Sequence, residues 1–364
     1  MNTQIRFHAK WFAAVAFLAV VLSGCSSNDR ADAAIRPAAG GLVLRGAGAT
    51  FPSLVYKKWF AGYHAAHPEV TISYDAVGSG EGVRRFIGNG VKDEEKVDFG
   101  ASDAAMTDEQ IAQVGRGALM VPATAGSVVL AYNLPNFQGE LKLSREAYAG
   151  IFLGRIRSWN DPAIAATNPG VILPKLTIVT AARQEASGTT FAFTKHLDAI
   201  SPEWRGRYGA ATLIDWPGNT MRARGNENVA GLIEHSEGSI GYVGYEFAHR
   251  LGLKMALLQN KEGNFVSPGD QPGMAALASA DLPPNLRLFI ADPAGHNAYP
   301  IVTFSWILLY RNYDDPRKAK ALRDLLRWCL SDGQRLASNL GYVPLSENVI
   351  SRSLAALHEV GPSD

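Results

Sequence analysis

The chain has 364 residues, 47% of them apolar and 19% charged, enough for about two domains and too apolar for a disordered tail. The 35 Lys and Arg nearly balance the 34 Asp and Glu, and a net charge of +1 argues against a general nucleic-acid binder. Two cysteines, Cys25 and Cys329, are too few for a disulfide scaffold or a zinc cluster, while 36 Gly and 19 Pro fit the many turns of an α/β protein. In chain order, Arg6 and Lys10 precede an apolar run over 11–22. That run is shorter than the roughly 20 residues of a spanning helix, so a signal peptide is expected over 1–24.

Leu22-Ser23-Gly24-Cys25 resembles the lipobox of bacterial lipoproteins, in which the chain is cut before a Cys that then receives diacylglycerol. The alternative is a plain secretory peptide that contains a Cys. Small polar residues over 25–41 read as a flexible tether. Lipidation of Cys25 would leave Cys329 without a disulfide partner, and its surroundings, LLRWCL, place it in a core.

From residue 42, short apolar runs alternate with helical periodicity. LVLRGAG (42–48) reads as a strand, 52–67 as a helix, VTISYDAV (70–77) as a strand, and a helix opens over 83–87. VDFGAS (97–102) is a strand, and Thr107 with Gln110 spells a capping box. SVVLAYNL (127–134) and LTIVTAA (176–182) are strands, a helix opens over 189–196, and 239–250 continues the alternation. A β-rich run covers 300–311 and an amphipathic helix 319–336. The alternation implies an α/β fold, its sheet mainly parallel with helices on both faces.

One local design recurs three times. Gly46-Ala-Gly-Ala-Thr50-Phe51-Pro52, Gly78-Ser79-Gly80-Glu81-Gly82 and Ala186-Ser187-Gly188-Thr189-Thr190 each join a strand to a helix. Thr50 is placed to be an N-cap ahead of Pro52. A glycine-rich turn at a helix start offers backbone N–H groups and hydroxyls to an anion, and open α/β sheets bind ligands at the carboxyl ends of their strands. Arg183 follows strand 176–182 and can clamp an oxyanion or pair with Glu185, and both hold if Glu185 orients it. Asp103 ends VDFGAS as a turn residue or as an acceptor for an anion that keeps a proton. Phosphate keeps one at neutral pH, whereas sulfate would face the carboxylate with acceptors only, at a cost of roughly 1–3 kcal/mol or more.

GAGATFPSLVYKKW, YDAVGSGEGVRRFI, VDFGASDAAMTDEQ, ARQEASGTTFAFTKHL and GSIGYVGYEFA resemble the phosphate-binding proteins of the high-affinity phosphate ABC transporter, in order, over about 42–345. The resemblance implies a two-lobed periplasmic-binding-protein fold of type II with two hinge crossings. The lobes expected are 42–124 with 297–364, and 125–296. It further implies a phosphate site made of Thr50, Phe51, Ser79 and Asp103 from one lobe and Arg183, Ser187, Gly188 and Thr189 from the other. No cofactor, no metal and no catalysis are implied. The partners would be inorganic phosphate, permease subunits with their ATPase, and a membrane reached through the lipid on Cys25. The protein would be an exported monomer in the periplasm or at the cell surface. Against relatives, Glu81 is an added acid expected to point outward, Glu185 stands where Asp is common, Ala186 replaces a Gly, and 88–96 is a small surface insertion. The rival readings are a lipid-anchored sensor or scavenger, a binder of another oxyanion, and a phosphate-ester hydrolase. The last is disfavoured because HExxH, CxxC and G-x-S-x-G are all missing from the sequence.

Overall fold

A computed structural model of the chain describes residues 40–278 and 280–363. The expected signal peptide, Cys25 and all but the last two residues of the tether lie outside the described residues. Among the described residues, no helix is long and apolar enough to cross a membrane.

The core is one nine-stranded sheet. Its strands are β1 (Leu42–Gly48), β2 (Val70–Ala76), β3 (Phe99–Ser102), β4 (Ala118–Tyr132), β5 (Val179–Arg183), β6 (Thr220–Ala223), β7 (Ser239–Gly244), β8 (Lys254–Met255) and β9 (Val302–Tyr310). They lie in the order β2-β1-β3-β9-β4-β7-β5-β6, with β8 beside β4. At one end β2, β1 and β3 are parallel, and at the other β6, β5 and β7 are parallel, as the strand-helix alternation predicts. Between these sets β9 and β4 run antiparallel to their neighbours, so the sheet as a whole is mixed.

β4 joins the two sets. All fifteen of its residues are buried, and at 3.3 Å per residue it is roughly 50 Å long. Residues 118–127 pair with β9, and Val128–Tyr132 pair with β7. Its apolar run without alternation is that of a strand covered on both faces. The register of β4 against β9 shifts between Ser305 and Trp306, opposite Thr124 and Pro122. Such an irregularity accommodates a proline that cannot donate to the ladder, and it re-aims nearby side chains.

Each parallel strand ends at a turn that feeds a helix or the Asp103 loop. The helices are α1 (Ser53–Ala66), α2 (Ser79–Ile87), α3 (Asp108–Ala112), α4 (Gly188–Ile200), α5 (Gly225–His235), α6 (Tyr245–Arg250) and α7 (Pro316–Cys329). Thr107 and Gln110 form both bonds of the expected capping box. The helix expected over 319–336 divides in two, with α7 followed by Asp332–Ser338. The backbone leaves the helical region at Ser331, with φ −115° and ψ −92°, and Trp59 packs against the start of the second piece. Its Nε1 donates to the Gly333 carbonyl at 2.6 Å, and a Cβ on Gly333 would come within 2.9 Å of that nitrogen. Cys329 is buried in the core, as expected.

Close backbone packing sets the first two turns. A Cβ on Gly82 would meet the Gly48 Cα at 2.4 Å and the carbonyls of Ala101 and Ala47 at 2.9 and 3.0 Å. This glycine lets α2 lie directly on the ends of β1 and β3. Gly82→Ala is expected to destabilise the protein by about 1–3 kcal/mol through overpacking. Thermal unfolding of the two proteins checks this, and an unchanged midpoint would mean that α2 does not rest on the strand ends.

Candidate functional site

The turns after β1, β2, β3, β5 and β6 converge, and all eight expected site residues come into one buried cluster. Thr50, Ser79, Asp103, Arg183, Ser187 and Thr189 are each less than a tenth exposed, and Phe51 is fully buried. Gly188 lies against both Ser79 and Asp103, since a Cβ there would come within 2.6 Å of the Ser79 Oγ and of the Asp103 Cβ.

Thr50 is not an N-cap. Pro52 holds that position with no side-chain bond, and the Thr50 Oγ1 instead accepts from the Asn226 backbone N–H at 3.2 Å and its Nδ2 at 3.0 Å. The cap expectation fails because α1 begins one proline later, which frees the hydroxyl to face α5. Phe51 is fixed through its carbonyl, which accepts from the Tyr342 hydroxyl at 2.7 Å.

The hydroxyl oxygens share one property. The Ser79 Oγ accepts from the Asp103 N–H at 3.2 Å, and the Ser187 Oγ caps α4 by accepting from the Thr190 N–H at 3.2 Å. The Thr189 Oγ1 accepts from Arg183 Nη1 at 3.3 Å and Asn226 Nδ2 at 3.1 Å. With Thr50, four hydroxyls each spend a lone pair on an N–H donor, and each keeps its own proton to donate. Among the described residues the backbone N–H groups of Phe51, Gly188 and Thr189 have no acceptor. They are the orphan donors of helix starts.

Arg183 supplies the positive charge. Its backbone N–H donates to the Tyr242 hydroxyl at 3.1 Å, and Tyr242 also bonds the Thr190 Oγ1 at 2.7 Å, so one buried tyrosine sets both Arg183 and the start of α4. The Glu185 Oε1 accepts from Arg183 Nε at 2.9 Å, from Nη2, and from the Gly225 N–H at 3.0 Å. Glu185 therefore orients Arg183, as anticipated. Three of the five guanidinium N–H groups are engaged and two remain.

Asp103 is the one acid expected to face the ligand. Its Oδ1 accepts from the Ser305 hydroxyl at 2.7 Å. Burial pushes its carboxyl up to about 7, against the opposing pulls of the Ser305 hydroxyl and the Arg183 charge. Glu81 points away, paired with Arg84 at 2.7 Å and Arg85 at 2.8 Å. The surface placement of 88–96 holds as well, since most of this loop is exposed.

Sequence reasoning missed Asn226 and Ser305. Asn226 is wholly buried, and its side chain ties Thr50 to Thr189 while accepting from the Gly244 N–H at 3.0 Å. Its signal was a fourth strand-glycine-helix junction at Ala223-Arg224-Gly225, where Gly225 has φ +76°. Ser305 stood out only as one of two aliphatic hydroxyls, with Thr303, inside a mostly apolar strand.

A cavity of about 700 Å³ opens beside Ser79 and Gly80, between Met106 and Phe191. Another, of about 790 Å³, lies near Lys142 and Phe265 and includes none of the clustered residues. The convergence of donors, not cavity size, marks the site. Among the described residues, no group of three or more His, Cys, Asp or Glu could hold a metal ion.

Known proteins resemble the chain in sequence and in fold. Residues 30–333 match the model of the PBP superfamily domain. The chain is 38% identical to the phosphate-binding protein PstS of Pasteurella multocida, over 85% of this chain and 88% of that protein. It is 33% identical to the phosphate-binding protein PstS of Methanocaldococcus jannaschii, over 94% and 92%. In fold it is similar to a high-affinity periplasmic phosphate-binding protein (PfluDING) solved with phosphate, at a TM-score of 0.73 and 22% identity over 86% of this chain and 93% of that one. A Stenotrophomonas maltophilia phosphate-binding protein gives a TM-score of 0.71 at 18% identity, over 86% and 93%. The chain thus belongs to the PBP superfamily and, within it, to the PstS family of phosphate-binding proteins.

Proposed function

We propose that the protein binds one inorganic phosphate ion between its two lobes, outside the cytoplasm, and presents it to the permease of an ABC transporter. The observation that carries this reading is the asymmetry of the cluster. Four hydroxyl protons, three free backbone N–H groups and two guanidinium N–H groups remain as donors, against the carboxylates of Asp103 and of Glu185, whose Oε1 is spent on Arg183 and Gly225. A tetrahedral oxyanion with many acceptor oxygens and one proton complements such a set. Thr50, Phe51, Ser79, Arg183, Ser187, Gly188 and Thr189 donate, and Asp103 accepts the ligand's proton. Asp103 and the ligand then share that proton and titrate as a pair.

We take 42–124 with 297–364 as one lobe and 125–296 as the other. The change of partner along β4 at residues 127–128 supports a crossing there. Contacts across the cleft hold it shut: the Gly80 N–H donates to the Ala186 carbonyl at 3.0 Å, and Asn226 reaches Thr50. Each is worth about 0.5–1.5 kcal/mol net, so closure is sensitive to a ligand that adds several more. The closed form is what a permease would recognise. No catalytic step is assigned, since the Ser187 oxygen is spent on capping α4. The protein acts as a monomer, exported and held to a membrane by diacylglycerol on Cys25.

Three measurements test this reading. Asp103→Asn is expected to reduce the ratio of phosphate to sulfate affinity at least tenfold, about 1.4 kcal/mol. Calorimetric titration with both anions reads it, and an unchanged ratio would defeat the proton-acceptor role. Arg183→Ala should weaken phosphate binding more than tenfold in the same titration, and a smaller loss would remove the guanidinium from the ligand's direct partners. Cys25→Ser should move the expressed protein from the membrane to the soluble fraction. If the variant stays with the membrane, the anchor lies elsewhere.

A further inference from the structure

Behind the donor cluster, where β4 passes from β9 to β7, stands a carboxyl that the phosphate reading does not use. Glu246 lies in the first turn of α6 and is 2% exposed. Both of its oxygens are buried without a hydrogen-bond partner among the described residues. The side chain folds back over Gly244, where any Cβ would overlap its Oε1. The Gly244 N–H in turn bonds Asn226, which holds Thr50 and Thr189, so Glu246 is one residue removed from the ligand cluster.

The neighbours of Glu246 offer it no positive charge. Asp103, at the end of β3, acts on it as a like charge. Tyr342 lies beside it, but the single proton of that hydroxyl goes to the Phe51 carbonyl at 2.7 Å. Tyr56 of α1 acts on Tyr342. β4 carries no charged side chain, and in β7 Tyr242 is turned to Arg183 and Thr190. On α5, Glu227 is exposed and paired with Arg250 at 2.6 Å, and Glu234 and His235 sit at its exposed far end. Asp270 acts on the adjacent Tyr245. An isolated carboxylate in such a place is very costly, and a buried acid escapes the cost by keeping its proton.

We propose that Glu246 is a positioning residue that holds its proton behind the site, adding no charge to the Asp103 and Glu185 carboxylates there and tying phosphate affinity to pH. This rests on the phosphate reading of the cluster. Burial holds the Glu246 carboxyl well above the usual glutamate range and the Asp103 charge raises it further, against the opposing pulls of its own backbone N–H and of the Tyr342 hydroxyl. When alkaline pH removes the proton, a second negative charge stands behind Asp103 and opposes a bound anion.

The test compares wild type with Glu246→Gln, which has nearly the same shape and cannot ionise. Phosphate dissociation constants are measured for both from pH 5 to pH 10. The ionisations of phosphate and Asp103 act on both proteins, so the ratio of the two constants isolates Glu246. Wild type should weaken relative to the variant as pH rises, by up to tenfold per pH unit for one proton. A flat ratio, with the variant folded, would overturn the proposal. Infrared difference spectra of the phosphate-saturated proteins give a second readout. A protonated-carboxyl band in wild type and absent from the variant is expected, and its absence from wild type overturns the proposal. Should the Gln variant not fold, Glu246→Met serves in both measurements. Should wild type bind no phosphate at any pH, the phosphate reading fails, while the infrared band of the unliganded protein still decides where the Glu246 proton sits.

Discussion

Arg183 is a guanidinium taken almost wholly out of water, with 2% of its surface exposed. Removing a cation from water costs several kcal/mol, and that cost is offset only by partners of good geometry. Glu185 provides a carboxylate on one side and Thr189 a lone pair on another. Two N–H groups are left over, and they define where a further negative charge is stabilised. The rest of the cleft is organised around this position. Tyr242 fixes the backbone of Arg183, Ser187 starts the helix that brings Thr189 to it, and Gly225 closes on Glu185 from the end of the adjacent parallel strand β6.

The sheet makes the convergence possible. Parallel strands place their carboxyl ends on one edge, so successive turns share a neighbourhood although they are far apart in sequence. Here two parallel sets meet through antiparallel β9 and β4. Ser305, beside the register shift in β9, reaches the Asp103 loop at the end of the adjacent β3. A strand irregularity in the core thus aims a hydroxyl at Asp103.

Much of this was legible in the sequence, because local chemistry was enough to mark it. Glycine and hydroxyl residues at strand-to-helix junctions located three of the turns, and Arg183 with Glu185 could be paired from their spacing. What remained hidden depended on distant contacts. Thr50 reads as a cap until α5 brings Asn226 to its oxygen. Ser305 belongs to a strand whose neighbours β3 and β4 lie some two hundred positions earlier. Glu246 looks like an ordinary first-turn acid of a short helix, and only the packing of Tyr342 and Gly244 around it reveals that it is buried. The contact of Trp59 from α1 with the Gly333 carbonyl, just past α7, is hidden for the same reason. Periodicity cannot report a side chain that arrives from another element.

The unbroken course of β4 has a mechanical consequence. A strand bonded along its first ten residues to β9 and along its last five to β7 cannot slide against either without losing a ladder. Translation of one lobe past the other is therefore stiff, whereas twisting about the strand axis near residues 125–128 is soft, because it spreads a small torsion over several backbone angles. β4 acts as a torsion bar. In the lobe closure proposed above it would favour rotation over translation and so keep the donors of the two strand edges in one register.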